Sequence, residues 1–71
     1  MTLLEASVNI EYVIQSIETD DEELNAFLFS LGCYSGEMIK VISHRKGGCV
    51  ISIKGAKYNI DIPLAKAICI K

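Results

Sequence analysis

Apolar and polar positions change their period along this chain, and each change marks an element. Tyr12 to Ile17 is rich in β-branched and aromatic residues and predicts a strand. Leu24, Phe27, Leu28 and Leu31 then recur at i, i+3, i+4 and i+7, the stripe of an amphipathic helix. Thr19 with Glu22, or Asp20 with Glu23, has capping-box spacing, and the acidic run Asp20 to Glu23 suits the positive end of the helix dipole. Gly32 follows the last leucine, where a left-handed residue commonly ends a helix. Cys33 to Gly36 reads as a turn.

The rest of the chain has strand period. Glu37 to Ser43 carries Met38 and Ile42 on one face and Ile39 and Val41 on the other, so both faces are apolar. His44 to Gly48 reads as a polar loop. Cys49, Ile51 and Ile53 alternate to one side of a next strand, and Lys54 to Lys57 is a hairpin turn. Tyr58, Ile60 and Ile62 are expected inward on the following strand, with Asn59 and Asp61 outward, until Pro63 stops it. Pro63 to Lys66 fits one helical turn, and Ile68 to Ile70 a last short strand with Cys69 opposite its neighbours. Near the start, Thr2, Leu3 and Leu4 are expected to tuck one or two leucines under the domain.

These elements describe a mainly β protein. About five strands, one α-helix after the first and a short helical turn before the last have the order and proportions of a small SH3-like barrel. Closure removes sheet edges that would otherwise invite aggregation. Seventy-one residues suit one domain over 1–71, of a size that buries only roughly 60% of its unfolded surface. At 51% the hydrophobic share lies slightly above the usual ~45–50%, which fits a β-rich core or a surface kept apolar for a partner.

Charge and cysteine use narrow the function. A net charge of −2 and a pI near 5.2 argue against nucleic-acid binding, which normally needs a basic face. The basic residues His44, Arg45, Lys46, Lys54 and Lys57 sit in turns and read as solvated. No run approaches the ~20 apolar residues of a membrane helix, so no membrane insertion is expected and the chain reads as cytoplasmic. Cys33, Cys49 and Cys69 are odd in number and form no CxxC pair, which leaves neither a disulfide framework nor a zinc ribbon.

Candidate chemistry is thin. His44 has no orienting carboxylate nearby in sequence, and Cys33 with His44 as base has no local signal, so no enzyme is expected. Cys33, His44, Cys49 and Cys69 are soft or borderline metal ligands, but they fall on separate elements. Cys49 and Cys69 read as structural, leaving Cys33 and His44 as weak metal candidates. Partner binding fares best. With the leucine stripe on the barrel, Phe29 and Tyr34 have no core slot, and surplus apolar surface on a small protein marks an interaction site. The competing expectation is that Phe29 packs under Leu3 and Leu4.

The stretch "LFSLGCYSGEMIKVI", a Gly-containing loop, and "CVISIKGAKYNIDIPLAKAICI" together resemble the FeoA family of small cytosolic ferrous iron transport proteins. Leu31 and Gly32 match the family's helix end, Gly36 its turn glycine, Gly48 its loop, Gly55 its hairpin, and Ala67 and Ile68 its close. Cys33 stands where that family usually has leucine, and Ser35 where it has proline. The resemblance implies an SH3-like barrel related in shape to a domain of iron-dependent repressors. It also implies an accessory role in ferrous iron uptake, through docking on the cytosolic GTP-binding part of a FeoB-type membrane transporter. No cofactor is expected beyond weak binding of Fe2+ or another divalent transition metal. The helix–strand corner of Phe29, Leu31, Gly32, Cys33, Tyr34, Gly36 and Met38 is the expected docking face. The alternatives are a free-standing SH3-like regulatory module that binds another protein, and a small transition-metal-binding protein that uses Cys33 and His44.

Overall fold

The computed structural model describes residues 1–71. A 3-10 turn at Leu3–Glu5 precedes strand β1 (Glu11–Ile17), helix α1 (Glu22–Leu31), β2 (Met38–Arg45), β3 (Gly48–Ile53), β4 (Ala56–Asp61), helix α2 (Ile62–Ala67) and β5 (Ile68–Ile70). The strands form one antiparallel sheet in the order β4-β3-β2-β1-β5.

Strand β1 is the hinge of this sheet. Its first half pairs with β2 and its second half with β5, and the register slips between Ile14 and Ser16. A second slip lies between Val41 and Ser43 of β2. Each bulge inserts an unpaired residue and bends its strand, which curls the sheet around its apolar face. Ile14 stands at the turning point: its N–H donates to the Glu37 carbonyl at 2.8 Å, and its own carbonyl accepts from the Gly36 N–H at 2.9 Å.

The concave side holds the core. Ile39 and Val41 of β2, Cys49, Ile51 and Ile53 of β3, Ile60 of β4 and Ile68 and Ile70 of β5 are all buried, as strand alternation requires. The open end is sealed by Leu3, which is fully buried, and by Ala65 and Ala67 of α2. The first residues are tied down: the Met1 carbonyl accepts from Ile70 at 2.8 Å, and the Thr2 N–H donates to the Glu5 carboxylate at 2.8 Å. No polar side chain is buried, so thiols are the only titratable groups in the core.

Several expectations are corrected. Helix α1 is capped by Asp21, whose carboxylate accepts from the N–H groups of Glu23 and Leu24; Thr19 and Asp20 do not cap it. Thr19 instead accepts from the Asp21 N–H and holds the cap residue in place. The apolar stripe is also narrower than its spacing suggests. Leu28 is buried and Leu24 and Leu31 are half-buried, whereas Phe27 is 48% exposed. Phe27 lies roughly 100° around the helix from Leu28, beyond the single row that touches the barrel.

The expected loop from His44 to Gly48 is a tight hairpin, because β2 continues to Arg45, which pairs with Gly48. Ile62 is not an inward strand residue. It is exposed and opens α2, since the Asp61 carboxylate accepts from the Leu64 N–H and starts a helix with Pro63 in its first turn.

Candidate functional site: the corner between helix α1 and strand β2

The corner begins with the way α1 ends. Gly32 adopts the left-handed region at φ 97°, its N–H donating to Phe29 and that of Cys33 to Leu28. This pairing is a Schellman ending, and its usual apolar contact falls to the two buried side chains Leu28 and Cys33. The chain then turns through Tyr34 to Glu37, closed by a 3.1 Å bond from the Glu37 N–H to the Tyr34 carbonyl.

One polar cluster fixes this turn from outside. The β3–β4 hairpin turns through Lys54 and Gly55, at φ 50° and φ 79°. From there Lys54 crosses Gly32 and donates from Nζ to the Tyr34 hydroxyl at 2.6 Å. The same ammonium lies 3.4 Å from the Glu37 carboxylate and 5.0 Å from the centre of the Tyr34 ring. The Tyr34 hydroxyl, which accepts a hydrogen bond from the ammonium, and the neighbouring Glu37 charge raise the Lys54 pKa above its ordinary value, against the opposing effect of desolvation. Phe29 packs against Tyr34, with ring centres 5.0 Å apart and planes tilted by 40°. Phe29 itself is 65% exposed, so it does not pack under the N-terminal leucines.

The expected docking residues separate into two groups. Phe29, Gly36 and Met38 are exposed and Tyr34 and Leu31 half-buried, so these can be touched from outside. Met38 pairs in register with Val13, which is also exposed. Gly32 and Cys33 are buried, and Cys33 at 1% exposure cannot present its side chain to a partner. They build the corner from beneath. The sequence shows Lys54 only as a solvated turn residue, because its partners are far away along the chain. Its one local sign is a lysine in a hairpin position that normally takes asparagine or glycine.

The proposed metal ligands are not assembled. Burial pushes the Cys33 thiol up to about 11, which opposes the thiolate a metal would need. His44 lies at the far end of β2, with Nε2 2.7 Å from the Ala6 carbonyl, a bond in which the ring nitrogen donates. No three His, Cys, Asp or Glu side chains come together as a ligand set. What the corner offers is an exposed aromatic face, Phe29 beside the half-buried Tyr34.

A curled five-stranded antiparallel sheet with a helix in its first connection defines a small SH3-like domain. The FeoA domain family matches residues 1–71, and the chain belongs to that family, which is linked to ferrous iron transport. Among solved structures it is similar to an iron uptake regulatory protein (FeoA), with 25% identity and a TM-score of 0.88 over 100% of this chain and 95% of that one. It is also similar to Stenotrophomonas maltophilia FeoA complexed with zinc, described as a prokaryotic SH3 domain protein, with 18% identity and a TM-score of 0.87 over 100% and 89%. A manganese-dependent transcriptional repressor shares the fold at a TM-score of 0.92 and 20% identity, over 100% of this chain and 35% of its own. No curated protein matches the chain. No helix is long and apolar enough to cross a membrane.

Proposed function

We propose that this chain is a cytoplasmic accessory protein of ferrous iron uptake that docks on the cytosolic GTP-binding part of a FeoB-type membrane transporter. It performs no chemistry of its own. The observation that carries the reading is Phe29: a phenylalanine 65% exposed, packed against a tyrosine whose hydroxyl accepts from a lysine that also pairs with Glu37. Exposed aromatics on a rigid support are typical binding anchors, and membership of the FeoA family supplies the transport context. Binding alters the transporter only insofar as one of its states is bound more tightly than another.

The test is an NMR titration of the labelled chain with the transporter's soluble GTP-binding domain, with and without GTP. Shift changes are expected at Phe29, Leu31, Tyr34, Gly36 and Met38, with an affinity that depends on nucleotide. Phe29→Ala should weaken binding about tenfold or more while the barrel stays folded. Unmoved shifts throughout the molecule defeat the docking role, and shifts confined to the opposite end of the barrel defeat the assigned face.

A further inference from the structure

We infer that Lys54 is a positioning residue: it clamps Tyr34 against Phe29 and so holds the aromatic corner in one arrangement before any partner arrives. The inference rests on the docking face proposed above, but its physical content belongs to the free protein.

The first observation is convergence. One ammonium meets the Tyr34 hydroxyl at 2.6 Å and the Glu37 carboxylate at 3.4 Å. A lysine has three donors on a flexible stem, and here two of its partners, Tyr34 and Glu37, lie on the turn that follows α1. Here the stem is held as well. A β-carbon on Gly32 would lie 3.2 Å from Lys54 Cδ, so the stem runs directly over the backbone that ends α1.

The second observation is backbone geometry. Both turn residues of the β3–β4 hairpin have positive φ, 50° at Lys54 and 79° at Gly55, the arrangement of a type I′ turn. Glycine or asparagine would satisfy Lys54's position with less strain. A lysine there is the poorer choice for the hairpin, and the bonds to Tyr34 and Glu37 are what it supplies in exchange.

The consequence follows from the cost of ordering side chains on binding. Tyr34 and Phe29 touch each other, but Phe29 has no other aromatic neighbour, and the Tyr34 hydroxyl accepts its one side-chain bond from Lys54. Without the ammonium the pair is free to change rotamers. A partner must then fix what Lys54 had already fixed, and affinity falls although no contact with the partner is lost.

Three variants test this by aromatic NMR of the free chain and by affinity for the transporter's GTP-binding domain. Lys54→Met keeps the stem over Gly32 and removes the ammonium; Tyr34 should lose its single rotamer, and binding should weaken about threefold to tenfold. Lys54→Arg restores a donor and should recover both signals. Lys54→Gly relieves the turn, so unfolding should need at least as much urea as in the parent while Tyr34 loosens, which separates positioning from support of the fold. An unchanged Tyr34 ring in Lys54→Met overturns the inference. So does undiminished affinity in a variant whose ring has loosened. If the parent does not bind at all but Tyr34 still loosens in Lys54→Met, the docking reading fails and the clamp stands.

Discussion

A β-carbon on Gly48 would lie 1.9 Å from the carbonyl oxygen of Ile60, inside any permitted contact. The first residue of β3 therefore presses on the backbone of β4, with φ at 153°. Gly48→Ala has no flexible side chain to push aside and should cost about 3 kcal/mol or more. Gly47, next to it, faces open space. Gly47→Ala should stay within about 0.5 kcal/mol of the parent in urea unfolding. Equal losses at the two positions would contradict this packing.

The start of α1 depends on one carboxylate. Asp21→Ala leaves the Glu23 and Leu24 N–H groups without their partner and should destabilise by about 1 kcal/mol. Thr19→Ala removes only an exposed bond to the Asp21 N–H, and its effect should remain below about 0.5 kcal/mol. Thermal melts of the two variants would show the order directly, and a larger loss for Thr19→Ala would move the cap.

Helix α1 is fastened through Leu28. Leu28→Ala opens a cavity beside Cys33 and should cost about 2–5 kcal/mol. Phe27 is the larger side chain but is 48% exposed, so Phe27→Ala should cost less than half as much. Circular-dichroism melts that ranked Phe27 above Leu28 would restore the broader stripe.

The thiols should differ in reactivity. Burial raises the pKa of Cys33, to about 11, and that of Cys49, whereas Cys69 is only half-buried. Iodoacetamide at pH 8 should modify Cys69 first, read by mass spectrometry of the digested chain. A Cys33 pKa raised above its unfolded value of about 8.5 means that the neutral thiol's contribution is fully present below that pH. It is lost as pH climbs through about 11. Between these limits, stability should fall more steeply in the parent than in Cys33→Ala, by urea midpoints; parallel slopes would remove Cys33 as the cause.

Much of the fold was legible because local chemistry and tertiary demand agree. Cys49, Ile51 and Ile53 alternate in sequence and are all buried; Gly32 ends the helix it was expected to end. Disagreements arise where several local solutions are close in energy. Thr19, Asp20 and Asp21 can each cap a helix, and only the path of the chain out of β1 selects Asp21. Ile62 continues the alternation of β4, yet the Asp61 cap and Pro63 start α2 one residue earlier than expected. Cys33 falls in the expected docking face beside Tyr34, but it is the buried apolar partner of a Schellman ending.

Taken alone, the order of residues determined the SH3-like elements, the place of the helix and the surplus of Phe29 and Tyr34, since strand alternation and helix spacing are properties of neighbours along the chain. What only the folded molecule decided is which surplus side chains share a surface and what supports them. Lys54 reaches Tyr34 and Glu37 because a hairpin swings it over Gly32, a contact between distant segments that no local pattern records.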